Sequence, residues 1–130
     1  MYAALSSLRV VEIGVGVAAA ICGRYLADYG ARVTTVRAPL PPSGFQPRGA
    51  HDDPAAVRRR DAYLHAGKEV VDIEFDAAGW ETLRELIQEA EVLVEAMPVG
   101  FLTEHGFGPD ELRAADPSLV YVSITPFGAR

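Results

Sequence analysis

The stretch Leu8 to Ala20 (LRVVEIGVGVAAA) constrains what this chain can fold into more than any other. Val10, Val11 and Ile13 make a short apolar run that Gly14 and Gly16 interrupt, and an Ala-rich helical stretch follows. That is how a parallel strand buried on both faces hands over to a helix. In open α/β sheets, ligand sites lie outside the carboxyl ends of the strands, where a helix N-terminus offers unpaired N–H groups to phosphate. The stretch also reads G-x-G-x-x-A through Gly14, Gly16 and Ala19. A tight, closely packed βα turn needs the same small residues, so on this signal alone packing outweighs nucleotide binding.

A chain of 130 residues is one domain long enough to bury a core, and 49% hydrophobic residues suit a globular protein. The formal net charge of −6 argues against nucleic acid as the principal partner. Arg58, Arg59 and Arg60 are the basic run, read first as a solvated face and only second as a phosphate clamp. The single cysteine, Cys22, rules out a disulfide within one chain; beside Ile21 in the helical stretch it reads as a packed thiol rather than a nucleophile. A reducing, cytoplasmic setting is the expectation. No stretch reaches the roughly eighteen apolar residues of a membrane span, and residues 1–7 lack the basic head of a secretory signal.

The first helix is expected from Val17 to Tyr29, with Gly30 as its C-cap. Arg32 to Arg37 (RVTTVR) is a β-branched second strand, ended by the Pro-rich run from Ala38 to Gly44. From there to Leu64 no period emerges, which predicts a long Pro/Gly-rich loop over residues 39–64. Gly67 and Lys68 open a third strand, Glu69 to Phe75, whose alternation of Val71, Ile73 and Phe75 with Asp72 and Glu74 suits a strand near a sheet edge. Asp76 can cap a helix from Ala77 to Ala90, where Trp80, Leu83, Leu86 and Ile87 form one stripe. Val92 to Glu95 is a buried strand followed by a loop from Ala96 to Gly100. Pro109 starts a short helix through Ala115, and Leu119 to Thr125 is the last strand. Strands alternating with helices predict a Rossmann-like α/β domain: one mostly parallel sheet with helices on both faces.

The order and spacing of several segments resemble the N-terminal region of class III CoA-transferases and their acyl-CoA racemase relatives (the CaiB/BaiF group). The segments are LRVVEIG, CGRYLADYGARVTTV, GKEVVDIEF, EAEVLVEAMPVG and HGFGPDELRAADPSLVYVSITPFG, and the likeness runs from about Leu5 to Gly128. The resemblance implies an interlocked homodimer, or a catalytic partner domain, and CoA or acyl-CoA as the ligand. It implies CoA lying on the turn after the first strand (Val15, Gly16, Val17, Ala18), the end of the second (Arg37, Ala38), the loop after the third (Ile73 to Asp76) and the loop after the fourth (Ala96, Met97, Pro98). This chain departs from the family pattern at several of these positions. It carries Val17 to Ala20 where the family has a polar residue or Gly-Pro, Arg37-Ala38 where the family has an acid and often a base, and Glu95-Ala96-Met97 in place of Glu-Asn-Phe. Glu104 and His105 stand where a base is frequent. The family's acyl-accepting aspartate, a carboxylate nucleophile, and the racemase acid and base fall beyond the segment Thr125-Pro126-Phe127-Gly128, so no catalytic residue is nominated among these 130.

Other chemistries have weaker support. His51, His65 and His105 lack metal-ligand spacing, so no metal is expected. Ser123 lies in a strand without a nucleophile elbow, and Tyr121 reads as core. Two rivals to the CoA reading stand: a degenerate, non-catalytic assembly domain of the same fold, and an NADP site in which Arg37 meets a 2′-phosphate.

Overall fold

The computed structural model describes residues 3–41 and 53–128. Five strands, β1 (Arg9–Gly14), β2 (Arg32–Arg37), β3 (Glu69–Asp72), β4 (Val92–Ala96) and β5 (Val120–Ser123), form one sheet in the order β3-β2-β1-β4-β5. Every pairing is parallel, with Val11 opposite Thr34 on one side and Leu93 on the other. The helices are α1 (Ala18–Asp28), α2 (Pro54–His65), α3 (Ala77–Gln88), α4 (Phe101–Glu104) and α5 (Pro109–Ala115).

Strand alternation sorts the core into two layers, because successive side chains leave opposite faces. Val11 and Ile13 enter the larger cluster with Leu83 and Ile87 of α3, Leu102 of α4 and Leu112 of α5. Val10, Val33 and Val94 enter the smaller one with Ala19, Cys22 and Leu26 of α1. Helices therefore cover both faces, as the residue pattern predicts. The larger layer is built around Phe107, which is fully buried. Trp80 lies 5.4 Å from Phe107, 5.1 Å from Phe75 and 4.5 Å from His105, centroid to centroid.

The turn after β1 shows what its glycines do. A Cβ on Gly14 would stand 2.9 Å from Ala96 Cβ and 3.2 Å from Ala19 Cβ, too close for any larger residue. Gly16 has φ +75°, a left-handed turn with open space around its Cα. Packing and turn geometry thus account for the whole G-x-G-x-x-A pattern.

Local signals explain most boundaries. Asp76 Oδ1 accepts from Gly79 N at 2.8 Å and starts α3; Pro109 holds the first turn of α5. The observed α1 is one residue shorter than expected at each end and α3 ends two residues early, and β3 stops at Asp72 although Ile73 remains buried and Phe75 half-buried as the alternation requires. The four-residue α4 is too short to leave a period.

The expected loop over residues 39–64 needs correction. Residues 54–65 are a helix, entered through Asp53, whose Oδ2 accepts from Ala56 N at 3.3 Å, with Pro54 in its first turn. Leu64 is the one buried residue of α2, so the helix has no apolar stripe for periodicity to detect. The legible signal was the Asp-Pro pair, an N-cap followed by the favoured first residue. Expectations for residues 42–52, His51 and Phe45 among them, fall outside the described residues.

Beneath α1 a second close approach fixes the layer. A Cβ on Gly23 would overlap the carboxylate of Glu12, which rises from β1 into the space that the glycine leaves. Gly23→Ala should therefore lower stability by at least about 2 kcal/mol, although the same change in an open helix gains about 1 kcal/mol. Chemical denaturation gives the sign directly, and a stabilised variant would refute this packing.

Candidate functional site

Of the cavities that open at the carboxyl ends of the strands, two meet at Val17. The first, about 440 Å³, lies between the end of the β1–β2 pair and the helices α1 and α2; Glu12, Thr35, Arg37, Arg60, Asp61 and His65 supply its polar wall. The second, about 450 Å³, is formed by Val15, Val17, Ala18, Ala96, Met97 and Pro98 with Ile124 to Pro126, and its wall is chiefly apolar. It sits between β1 and β4, where the chain has built outward to β2 and β3 on one side and then crosses to the other, a topological switch point. Val17, the N-cap of α1, has no side-chain acceptor for the first-turn N–H groups.

The sequence-predicted residues divide between these spaces. Gly16, Val17, Arg37 and Ala38 line the first cavity. Val15, Val17, Ala18, Ala96, Met97 and Pro98 line the second. Ile73 joins neither: it is 7% exposed within the larger core cluster, and its N–H donates to Arg37 O at 2.9 Å.

Behind the first cavity lies a buried polar tie that sequence reasoning missed. Lys68 Nζ donates to Glu12 Oε1 and to the carbonyl of Ala20, each at 2.7 Å, and Thr35 Oγ1 donates to Glu12 Oε1 at 2.6 Å. Both charged side chains are almost wholly removed from solvent, at 0% and 2% exposure. Glu12 Oε2, held against Gly23, has no hydrogen-bond partner among the described residues. Burial pushes the Glu12 carboxyl above its ordinary value, outweighing the opposing bonds from Lys68 and Thr35. The signal was present in the sequence: an acid inside Val10-Val11-Glu12-Ile13 must find a buried partner. Lys68 is thereby committed to the interior.

His65 closes the cavity wall. Its Nδ1 is buried without a partner among the described residues, and burial together with the nearby Lys68 ammonium lowers its pKa, which favours the neutral ring. Arg37 at the rim is held by Asp72 through Nε–Oδ1 at 2.8 Å and a second nitrogen to Oδ2 at 3.0 Å.

The nucleophile candidates are engaged elsewhere. Ser123 donates its hydroxyl to Glu95, whose other oxygen accepts from Met97 N at 2.8 Å. Cys22 is half-buried, and burial, followed by the Glu12 charge, raises its pKa away from the reactive thiolate. Tyr121 is half-buried rather than fully core; its hydroxyl donates to Phe107 O at 3.2 Å, and burial raises its pKa. Among the described residues no group of three or more His, Cys, Asp or Glu could hold a metal ion, and no helix is long and apolar enough to cross a membrane.

The architecture is a five-stranded parallel α/β layer with two linked cavities at its carboxyl edge. The model of CoA-transferase family III matches residues 5–130, and the chain belongs to that family. It is 31% identical over 126 residues to a probable fatty acyl-CoA transferase of Mycobacterium tuberculosis, covering 95% of this chain and 32% of that protein. It is 30% identical over 125 residues to human alpha-methylacyl-CoA racemase, covering 96% and 29%. A CaiB/BaiF family crystal structure from Brucella suis superposes with a TM-score of 0.76 at 31% identity, covering all of this chain and 35% of the other. The chain thus spans about a third of the length of the curated relatives it matches.

The raised Glu12 pKa has a definite consequence for stability. A carboxyl whose folded pKa lies above its unfolded value, near 4.5, contributes stability that is present below that value and is lost as pH rises through the folded pKa. Glu12→Gln should remove this descending limb, so that stability plotted against pH above about 4.5 falls less steeply than in the parent chain. Urea denaturation from pH 4 to 8 tests this, and parallel curves for the two proteins would refute the assignment.

Proposed function

We propose that this chain is the CoA-binding layer of a class III CoA-transferase or acyl-CoA racemase, acting in the cytoplasm. The observation that carries the reading is the pair of cavities joined at Val17. One has a charged rim beside an uncapped helix N-terminus, which suits phosphates; the other is an apolar groove between β1 and β4, which suits a pantetheine arm. Val15 to Ala18 would carry the ligand from one space to the other, with Arg37 and Ala38 beneath the nucleotide end and Ala96 to Pro98 along the arm. CoA itself supplies the thiol that carries the acyl group.

The fit is good in shape and poor in polar anchors. Ala38 and Ala96 offer no side-chain hydrogen bonds, Lys68 is buried against Glu12, and Arg37 is engaged by Asp72. Losing two or three charged contacts, each worth about 1.5–3 kcal/mol, predicts a dissociation constant for CoA in the high micromolar range or weaker. Titration calorimetry checks this, and low-micromolar binding would mean that other groups hold the phosphates. NADPH in parallel tests the rival reading, which requires it to bind better than both CoA and NADH.

Turnover should be absent. Glu12 and Glu95, the two buried acids near the strand ends, are both bound internally, and an acyl-accepting carboxylate must be free to attack. An assay of the 130-residue chain with acyl-CoA donors and carboxylate acceptors should give no rate above the uncatalysed one. Measurable turnover would overturn this. Missing anchors together with missing turnover also suit a degenerate assembly domain, which calorimetry separates: that reading requires no CoA binding at all.

The chain should also self-associate or need a partner domain. Ile21, Tyr25 and Tyr29 form an exposed stripe along α1, and Tyr63 of α2 stands near it, packed on the Arg24 guanidinium. Such a stripe favours burial against another surface. Sedimentation at tens of micromolar should detect a dimer that Tyr25→Glu weakens, and a monomer throughout would refute self-association.

A further inference from the structure

Arg37 and Asp72 are register partners across β2 and β3 at the carboxyl edge of the sheet. Asp72 receives two hydrogen bonds from the guanidinium, at 2.8 and 3.0 Å, and so occupies one of the paired donor edges with which arginine grips a phosphate. The same Arg37 lines the rim of the 440 Å³ cavity. Its side chain is 54% exposed and that of Asp72 70%, so water screens the pair and the bond between them is weak. A phosphate monoester, with up to two negative charges against one on Asp72, can displace it.

We infer that Asp72 is a specificity-determining residue: it competes for Arg37 with the ribose-phosphate monoester of a nucleotide in the first cavity, and so holds down affinity for nucleotides that carry that group. The inference rests on the nucleotide-binding reading above. Its ligand chemistry is a phosphate monoester on a ribose, which CoA carries at the 3′ position and NADPH at the 2′ position.

Asp72→Ala, Arg37→Gln and the double variant are titrated calorimetrically at low salt with CoA, dephospho-CoA, NADPH and NADH. Asp72→Ala should bind CoA about three- to tenfold more tightly than the parent chain, with dephospho-CoA changed less than about twofold. The gain should vanish when Arg37 is also replaced. An equal gain for dephospho-CoA, or a gain that survives in the double variant, would reduce Asp72 to a remote charge and overturn the inference. CoA binding that is the same in all four proteins overturns the inference and leaves the CoA reading standing. A gain confined to NADPH over NADH supports the competition while overturning the CoA reading. Failure of every nucleotide to bind every variant overturns both.

Discussion

The interior tie between Glu12 and Lys68 joins the central strand, the first turn of α1 and the approach to β3 at one buried point. Lys68, in the turn that precedes β3, reaches beneath α1 to the carboxylate of the central strand and to the Ala20 carbonyl, and Thr35 of β2 joins the same oxygen. Breaking a buried pair by removing one partner leaves an uncompensated charge, a loss on the order of 3–5 kcal/mol. The pair is tolerable because Gly23 leaves room for the carboxylate and because three hydrogen bonds of 2.6 to 2.7 Å join Lys68, Glu12, Ala20 and Thr35. It positions the first turn of α1, and with it the Val17 junction between the two cavities.

The opposite layer is held differently. Leu83, Ile87 and Leu93 pack around Phe107 and Trp80, with Arg84 lying 4.8 Å over the Phe107 ring. Here shape and dispersion dominate, and the buried acid on this face, Glu95, is held by Ser123 and Met97 N rather than by an opposite charge. One face of the sheet is thus fixed by apolar packing and the other by a polar tie. The cavity on the polar face is the one with a charged rim, while the apolar groove opens at the switch point between them.

The rim carries charges that largely answer one another. Arg37 is matched by Asp72 in register, and burial together with Lys68 lowers the pKa of His65. Strand order and the β1–α1 turn create the cavity and the helix terminus independently of the side chains at positions 38 and 96. Membership in CoA-transferase family III and the departures at Ala38 and Ala96 are therefore compatible: the first is a property of the fold, the second of a few side chains.

What the sequence determined by itself is local. The apolar runs set β1, β2 and β4; Asp76 and Pro109 set the starts of α3 and α5; and Gly14 and Gly16 set the turn, since each depends on residues within a few positions of one another. The family pattern, read from the order and spacing of such segments, singled out Val15 to Ala18 and Ala96 to Pro98, which line the cavities, and Ile73, which lies in the larger core cluster. Only the tertiary structure decided that residues 54–65 are a helix beside α1, because a helix without an apolar stripe takes its place from its neighbours. Only the tertiary structure paired Glu12 with Lys68, 56 positions away, and Arg37 with Asp72, 35 positions away. Such pairings follow from strand register and from the depth at which a charge is buried, and neither is a property of any short stretch of chain.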